Sequence, residues 1–303
     1  MRTEENLTIV YFGNGVRGIR CLEAVVREGY LVLEAVVHKP DSSLAVMCDR
    51  IGIPIFAPER INTTSVIEHL RSLSPSLFVL SGYNKILRKE LLQLPKHGCI
   101  NLHGGKLPDY RGAAPINWQI LNGEIEGGCT ILYADEGIDT GDIIEQATYP
   151  IEGNDTAGDI VEKQLKLFPS MLLRALDQIK TGSIRSATQN CSIGNYYCRR
   201  LPKDSRLDWR NMSADQIHNL VRAMQGQNYP PAYCKYQGRY IQIHQTRILM
   251  EDIKGASGRI VLKHENGTVV IANDRGLLVT SASEEDGIPR PCQELLTVGE
   301  DLE

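Results

Sequence analysis

LTIVYFGNGVRG (residues 7–18) opens the apolar pattern of this chain. Residues 7–12 are mostly apolar, which predicts a buried first strand. A glycine-rich turn follows, and the spacing of apolar residues from there to Glu28 is typical of a helix. A strand that leads through a tight turn into a helix is the repeating unit of a doubly wound sheet. This stretch therefore predicts an α/β fold.

The same alternation continues along the chain. Further strands are predicted at residues 31–37, at 77–80 and in a run ending at Leu102, with helices between them. A charged, proline-containing segment, Arg199 to Asp204, then precedes five short alternating runs between Ala232 and Ser281. We predict a Rossmann-like, doubly wound and mostly parallel domain over residues 1–200 and a smaller OB-like β domain over 201–303.

The glycine-rich turn also matches the GxGxxG pattern of dinucleotide-binding proteins at Gly13, Gly15 and Gly18. Such a site needs an acidic residue for the ribose near the tip of the second strand, but that tip is His38-Lys39-Pro40. The pattern thus favours a turn that serves packing, or that holds phosphates with its free amides, over a nicotinamide site. An NAD-dependent oxidoreductase is kept as an alternative function.

Composition limits the class of protein. A chain of 303 residues with 42% hydrophobic and 23% charged residues can bury one large or two medium domains. Its net charge of −4 predicts no general attraction to nucleic acid or to an anionic membrane. We find neither a signal-like apolar run at the N-terminus nor the roughly 18 consecutive apolar residues of a membrane span. We therefore expect a cytoplasmic enzyme.

The eight cysteines show no close CxxC pairing, and neither they nor the histidines have the spacing of metal ligands. We expect reduced thiols and no bound metal.

Two stretches carry polar side chains in turn-forming surroundings, NLHGGKLPDYRG at 101–112 and DEGIDTGD at 135–142. Asn101 and His103 are two positions apart, so a strand ending at Leu102 would project both from one face. Together with Asp139 they form the predicted catalytic set. By residue type alone, a histidine after a strand is more often structural than catalytic, and Asp139 could simply cap a turn.

These motifs, in this order, resemble those of the folate-dependent formyltransferases, and most closely the sugar-nucleotide N-formyltransferases. The resemblance implies 10-formyltetrahydrofolate as co-substrate and transfer of its formyl group to an amine through a tetrahedral intermediate. Asn101 would then donate hydrogen bonds to the developing oxyanion. His103 would exchange protons with the attacking amine or the leaving nitrogen, and Asp139 would hold the imidazole.

The resemblance also implies binding segments. The pterin of the folate would be held by two of them, formed by Lys85, Ile86 and Leu87 and by Asp135, Glu136, Gly137 and Ile138. Predicted substrate contacts are Asn14, Lys85 and Arg111. For Arg111, holding a phosphate and fixing its own loop through carbonyl contacts are both open.

The acceptor is predicted from charge and local motifs. A tRNA enzyme needs a basic surface, yet residues 201–303 hold 12 Lys plus Arg against 14 Asp plus Glu, and the preceding residues hold 21 against 23. The segment 38–50 is short, with Lys39 and Arg50 as its Lys and Arg residues, and segments 83–87 and 117–124 resemble those of the sugar-nucleotide enzymes.

We therefore predict a dTDP- or UDP-linked amino sugar as the substrate partner, in lipopolysaccharide or surface polysaccharide biosynthesis, with no nucleic acid or membrane partner. Methionyl-tRNA formyltransferase is the nearest alternative. The oligomeric state is open, with a homodimer as one candidate.

Overall fold

The computed structural model describes residues 7–190, 192–226, 229–285 and 287–303. The chain divides into two compact units. The first contains residues up to Gly112 together with 128–149 and 162–196, and the second contains 113–127, 150–161 and 197–303. The predicted first domain, residues 1–200, therefore contains three stretches that belong to the second unit: 113–127, 150–161 and 197–200.

The strands are named in chain order and include short two-residue strands. They are β1 Thr8–Gly13, β2 Leu31–Val36, β3 Ile55–Phe56, β4 Leu77–Ser81, β5 Cys99–His103, β6 Arg111–Gly112, β7 Glu126–Tyr133, β8 Ile143–Pro150, β9 Tyr196–Tyr197, β10 Ala232–Tyr236, β11 Arg239–Ile248, β12 Ile260–His264, β13 Gly267–Ile271, β14 Gly276–Glu284 and β15 Arg290–Pro291.

The helices begin where the local sequence offers a start signal. The hydroxyls of Ser42, Thr63 and Ser213 each accept a backbone N–H three residues further on, which satisfies one of the free amides of a first helical turn. The helices are α1 Gly15–Arg27, α2 Ser43–Arg50, α3 Thr64–Ser72, α4 Lys89–Leu92, α5 Pro115–Leu121, α6 Ala157–Thr181 and α7 Ala214–Ala223.

The first unit is built on a seven-stranded sheet in the order β3-β2-β1-β4-β5-β7-β8. The pairs from β3 to β5 are parallel, and β7 runs antiparallel to β5. This confirms the predicted α/β, mostly parallel architecture. Because parallel strands end at the same edge, the residues after β1, β2, β4 and β5 meet there. That edge carries the candidate site.

Apolar side chains on these strands anchor the edge. Phe12 and Phe78 are fully buried, with ring centroids 4.9 Å apart, and they pack in one core cluster with Leu70 and Leu91. Burying a large side chain of this kind contributes about 2 to 3 kcal/mol before entropy is counted. Packing therefore fixes the strand ends. The backbone at this edge can then hold polar side chains in defined positions.

The second unit contains an antiparallel sheet in the order β10-β11-β14-β13-β12, with β15 on β14. The five runs predicted between Ala232 and Ser281 correspond to β10 to β14, and the structure adds the short β15. Bridges from the last residues of the chain reach Tyr236 and Arg259, at the two outer strands. The predicted small β domain is confirmed as an antiparallel, strand-rich unit.

Across the described residues, no helix combines the length and apolar character that crossing a membrane requires.

Candidate active site

β5 brings two polar side chains to the edge of the first sheet. Asn101 is half-buried and His103 is only 6% exposed. On one side Asn101 lies opposite Leu80 of β4, and on the other side His103 lies opposite Thr130 of β7. Leu102 between them is buried, so the packed strand fixes both side chains in place.

The carboxylate of Asp139 joins these two side chains. The Asn101 amide Nδ2 donates to Asp139 Oδ1 at 3.3 Å, and His103 Nδ1 lies 3.4 Å from Asp139 Oδ2. The backbone N–H of Gly112 also donates to Oδ2, at 2.9 Å. The structure therefore brings together all three predicted catalytic residues, which come from two distant stretches of the chain.

Asp139 itself has a left-handed backbone, with φ of 54°. Non-glycine residues adopt this conformation at a free-energy cost of about 1 kcal/mol or more, and they do so most often at functional sites. The side-chain amide of Gln189 holds the turn, because its Nε2 donates to the backbone oxygens of Asp139 at 2.9 Å and Gly141 at 2.7 Å.

The imidazole of His103 has oxygen acceptors on both sides. Its Nε2 donates to the backbone oxygen of Tyr110 at 2.6 Å, so the neutral ring keeps its lone pair on Nδ1, which faces Asp139. Burial lowers the pKa of His103; the Asp139 carboxylate and the Tyr110 oxygen oppose this, and Arg17 adds to the decrease. The net effect is a lowered pKa, so the ring is neutral at neutral pH and can accept a proton.

Arg111 was predicted as a substrate contact, but its side chain is bonded to acceptors within the protein. Its Nε donates to Gln189 Oε1 at 3.3 Å, and its terminal nitrogens donate to the backbone oxygens of Ile193 and Asn190 at 3.2 and 3.4 Å. Arg111 is 6% exposed, so these protein acceptors take up the guanidinium. Of the two alternatives open for Arg111, the structure supports the one that fixes the neighbouring loop.

The first predicted folate segment is held by Asn62. The Asn62 amide donates to the backbone oxygen of Ile86 and accepts from the N–H of Arg88, both at 2.8 Å. Lys85 Nζ donates to the backbone oxygens of Pro58 and Glu59 at 2.8 and 3.0 Å. Ile86 is 68% exposed whereas Leu87 lies in the core. Ile86 therefore offers an apolar surface on an ordered loop.

An open cleft of about 470 Å³ adjoins this segment, with residues 59–63, Lys85, Ile86 and Arg88 along its walls. The second predicted folate segment is an exposed turn organised by Asp135, which accepts from the N–H of Gly137 at 3.0 Å. An ion pair of 3.2 Å between Lys89 and Glu136 links this turn to α4. The two predicted segments thus lie close to each other.

Asn14 lies in the turn after β1. Its backbone N–H donates to Ser81 at 3.1 Å and its backbone oxygen accepts from Gly18 at 3.2 Å. A Cβ on Gly82 would lie 2.6 Å from that oxygen, so the turn requires glycine there. The side chain of Asn14 does not cap α1, and it stays a predicted substrate contact at the sheet edge.

Two residues near the site were missed by sequence reasoning. Gln189 connects Arg111 to the Asp139 turn, and Arg17 lies near His103. Gln189 has no motif around it that distinguishes it from a surface glutamine. Arg17 falls inside the glycine-rich turn, and the pattern of that turn predicts a role only for its backbone amides. No group of three or more His, Cys, Asp or Glu side chains in the described ranges is arranged to hold a metal ion.

Chemically, the cluster combines a hydrogen-bond donor, a base and a fixed negative charge. Within the described part of the chain, one Asn101 amide hydrogen is engaged by Asp139, which leaves the other for an oxyanion. Neutral His103 can accept a proton, and Asp139 stabilises the cation that results. Such an arrangement suits attack of an amine on a carbonyl carbon.

Comparison with solved structures supports the fold. An N-formyltransferase from Helicobacter canadensis, solved with folinic acid and dTDP-3-aminofucose, has a TM-score of 0.69 at 20% identity, covering 90% of this chain and 99% of that one. HypX from Aquifex aeolicus, solved with tetrahydrofolic acid, has a TM-score of 0.68 at 18% identity. That match covers 96% of this chain but 47% of HypX, so this chain spans about half of HypX.

Sequence comparison gives the family. Residues 29–176 match the formyl transferase family, and residues 201–298 match the formyl transferase C-terminal domain. The methionyl-tRNA formyltransferase of Clostridioides difficile (strain 630) is 32% identical over 305 residues, which covers 97% of this chain and 96% of that protein. With both matched parts present and a relative that aligns over nearly its full length, this chain belongs to the formyl transferase family.

Proposed function

We propose that this protein transfers the formyl group of 10-formyltetrahydrofolate to the amine of a nucleotide-linked amino sugar. The observation that carries the proposal is the joining of Asn101 and His103 by one carboxylate, that of Asp139, at the open edge of the sheet. The family assignment supports formyl transfer, and it replaces the oxidoreductase alternative for the glycine-rich turn.

His103 is the proposed base. The bound folate supplies a formyl group on nitrogen, which an amine must attack. Nδ1 of neutral His103 accepts the proton that the amine loses, and the nearby Asp139 carboxylate stabilises the imidazolium. The bond from Nε2 to Tyr110 keeps the ring oriented throughout. His103 can then return the proton to the leaving nitrogen.

Asn101 is the proposed oxyanion donor. Its carboxamide is fixed by β5 and by the bond to Asp139, so donating its second hydrogen requires little reorganisation. One such donor typically contributes about 3 to 4 kcal/mol to transition-state stabilisation.

The folate is proposed to bind between the loop 85–88 and the turn 135–138. Three features support a fit: the exposed apolar side chain of Ile86, the backbone of its loop held by Asn62, and the adjoining open cleft. Exposed Ile138 adds a second apolar group on the facing turn. Backbone groups in both segments suit the donor and acceptor edge of a pterin.

A small anionic acceptor is favoured over tRNA by the connection between β2 and α2. It spans only residues 37–42 and carries one lysine, Lys39, beside His38. With a net charge of −4 for the whole chain, this gives little to attract a polyanion. The local motifs noted above point the same way, as does the dTDP-3-aminofucose bound in the Helicobacter canadensis N-formyltransferase.

Methionyl-tRNA is the second candidate acceptor. It is favoured by relatives named methionyl-tRNA formyltransferase, such as that of Thermodesulfovibrio yellowstonii, which is 34% identical over 285 residues.

The test is a formylation assay with 10-formyltetrahydrofolate and two kinds of acceptor. One arm holds dTDP- and UDP-linked amino sugars with the amine at different positions, and the other holds charged initiator tRNA. We expect a formamide product on a sugar nucleotide, and none when Asp139 is replaced by alanine. Product on tRNA alone would reject the sugar proposal while keeping formyl transfer.

A further inference from the structure

Arg17 places a positive charge next to the candidate active site. It lies in the first turn of α1, immediately after the glycine-rich turn that follows β1. Its guanidinium carbon is 5.2 Å from the ring centroid of Phe168, which is fully buried on α6. The ring covers one side of the guanidinium, and Arg17 as a whole is half-buried.

The guanidinium lies beside the residue that follows the candidate base. A Cβ on Gly104 would be 3.4 Å from one terminal nitrogen of Arg17. Arg17 is also one of the charges that lower the pKa of His103. An anion bound by Arg17 would therefore lie beside the backbone that follows His103.

Arg17 has no acidic partner among the residues that the structure describes. Its Nε is shielded from solvent and has no hydrogen-bond acceptor. Burial lowers its pKa, and the side chains that oppose this are Cys21, Tyr11 and Cys129, none of which is a carboxylate. Arg17 as a whole is half-buried, and a shielded nitrogen without an acceptor is uncommon in proteins, so a ligand could supply the missing acceptor and counter-ion.

The start of α1 adds to this effect. The N-cap residue Asn14 makes no side-chain bond to the first turn, and that turn carries no acidic residue. A helix N-terminus that has neither a side-chain cap nor an acidic residue favours a negative charge bound next to it. The helix has 13 residues, enough for its dipole to contribute.

The two cations predicted as substrate contacts are already bound by protein atoms. Arg111 donates to Gln189 and to two backbone oxygens, and Lys85 donates to two backbone oxygens. Arg17 is the cation near His103 that has a π face as its contact instead of an acceptor.

We infer that Arg17 binds an anionic oxygen group of the acceptor substrate, which in a nucleotide-linked sugar is the diphosphate, and so positions the amine at His103. A guanidinium binds phosphate or carboxylate oxygens in a bidentate fashion, which fixes orientation as well as attraction. This inference rests on the proposed function and assigns its substrate-binding cation.

The first experiment measures anion binding without any reaction. Isothermal titration of the full chain with sodium pyrophosphate and with sodium malonate is compared for wild type, Arg17→Met and Arg17→Lys. Arg20→Met is the matched control, because Arg20 lies on the same helix, is 62% exposed and pairs with Glu23. Circular dichroism of each variant verifies folding.

We expect pyrophosphate to bind wild type and Arg20→Met equally, and Arg17→Met about 100-fold more weakly, with Arg17→Lys between them. Stronger binding of malonate than pyrophosphate would keep the anion site but assign it to a carboxylate. Failure of wild type to bind either anion, or equal binding by folded Arg17→Met, would overturn the inference.

The second experiment separates this inference from the proposed function. The ratio of kcat/KM for a dTDP-linked amino sugar to that for the same sugar without its nucleotide is measured. Arg17→Met should lower this ratio about 100-fold through the acceptor KM, with the folate KM unchanged. If wild type forms product and Arg17→Met keeps the same ratio, Arg17 does not bind the diphosphate. If wild type forms no sugar product, the proposed acceptor fails, and the pyrophosphate titration still decides the anion site.

Discussion

Arg111 and Arg17 lie in two regions beside the same candidate catalytic cluster, and their surroundings are opposite. Around Arg111, the segment 189–193 supplies three oxygen acceptors for the guanidinium. Around Arg17, the start of α1 and the Phe168 ring supply none to its Nε. One arginine completes the protein's own hydrogen bonds, whereas the other has capacity left for a ligand.

The difference shows how a structure separates supporting residues from binding residues. Arg111 occurs inside the most specific motif of the chain, yet it serves the loop that carries Gln189 and thereby the Asp139 turn. No sequence motif predicts a role for the Arg17 side chain. Replacing each should therefore change different measured quantities, and the predictions below test this.

The largest effect is expected where the two regions meet, at Asp139. Asp139→Ala removes the carboxylate that accepts from Asn101 and would stabilise protonated His103, so kcat should fall on the order of 1,000-fold. The measurement is steady-state formylation, with Asp49→Ala as an exposed carboxylate control. Loss of less than tenfold in a folded Asp139→Ala protein would contradict the proposed mechanism.

Arg111→Met and Arg17→Met should differ in stability. Arg111→Met removes three hydrogen bonds of a buried guanidinium and leaves the oxygen of buried Gln189 without this donor, so its free energy of unfolding should fall by about 3 kcal/mol. Arg17→Met replaces an unpaired cation with an apolar side chain and should not lower stability. Urea denaturation measures both, and equal losses would remove the distinction between the two regions.

Gln189→Ala tests how the Arg111 region reaches the site. It removes bonds to Arg111 and to the backbone oxygens of Asp139 and Gly141, so stability should fall by about 2 kcal/mol. Because the Asp139 turn loosens, kcat should fall about tenfold. Gln178→Ala on α6 is the control. A normal kcat in destabilised Gln189→Ala would show that the turn holds its shape unaided.

The pH dependence of kcat/KM should respond to Arg17 and not to Arg111. Burial lowers the pKa of His103 from 6.5, so activity should be lost on acidification only below that pH, as the base becomes protonated. Arg17 contributes to the decrease, so Arg17→Met should move the acidic limb to higher pH. Arg111→Met should leave it in place. If the acidic limb of Arg17→Met coincides with that of wild type, Arg17 does not lie close enough to His103 to lower its pKa.

The smallest effect is expected from Gly104→Ala. Its Cβ would lie 3.1 Å from the side-chain oxygen of Gln164, which must shift by a few tenths of an ångström, and in direct contact with Arg17 at 3.4 Å. The acceptor KM should rise about threefold while the folate KM is unchanged. A higher folate KM would indicate that Gly104 lies next to the folate rather than next to the acceptor.

Much of the fold was predictable because its signals are local. Buried strands, helical spacing and capping hydroxyls each depend on a few adjacent residues, and the predicted α/β order and the later β runs agree with the observed elements. Asn101 and His103 were predicted to share a strand face by their spacing alone. The joining of Asp139 to them was predicted only through a family resemblance, since no local rule brings residues 36 positions apart into contact.

The sequence by itself determined the sheet, its catalytic motifs and the formyl transferase resemblance. Only the tertiary structure decided which polar side chains near the site are already bonded: Gln189 to the Asp139 turn, Arg111 to carbonyls, and Arg17 to no acidic group within the ranges described. The physical reason is that periodicity and turn chemistry act over a few residues. Hydrogen-bond satisfaction and burial instead depend on groups that only folding brings together.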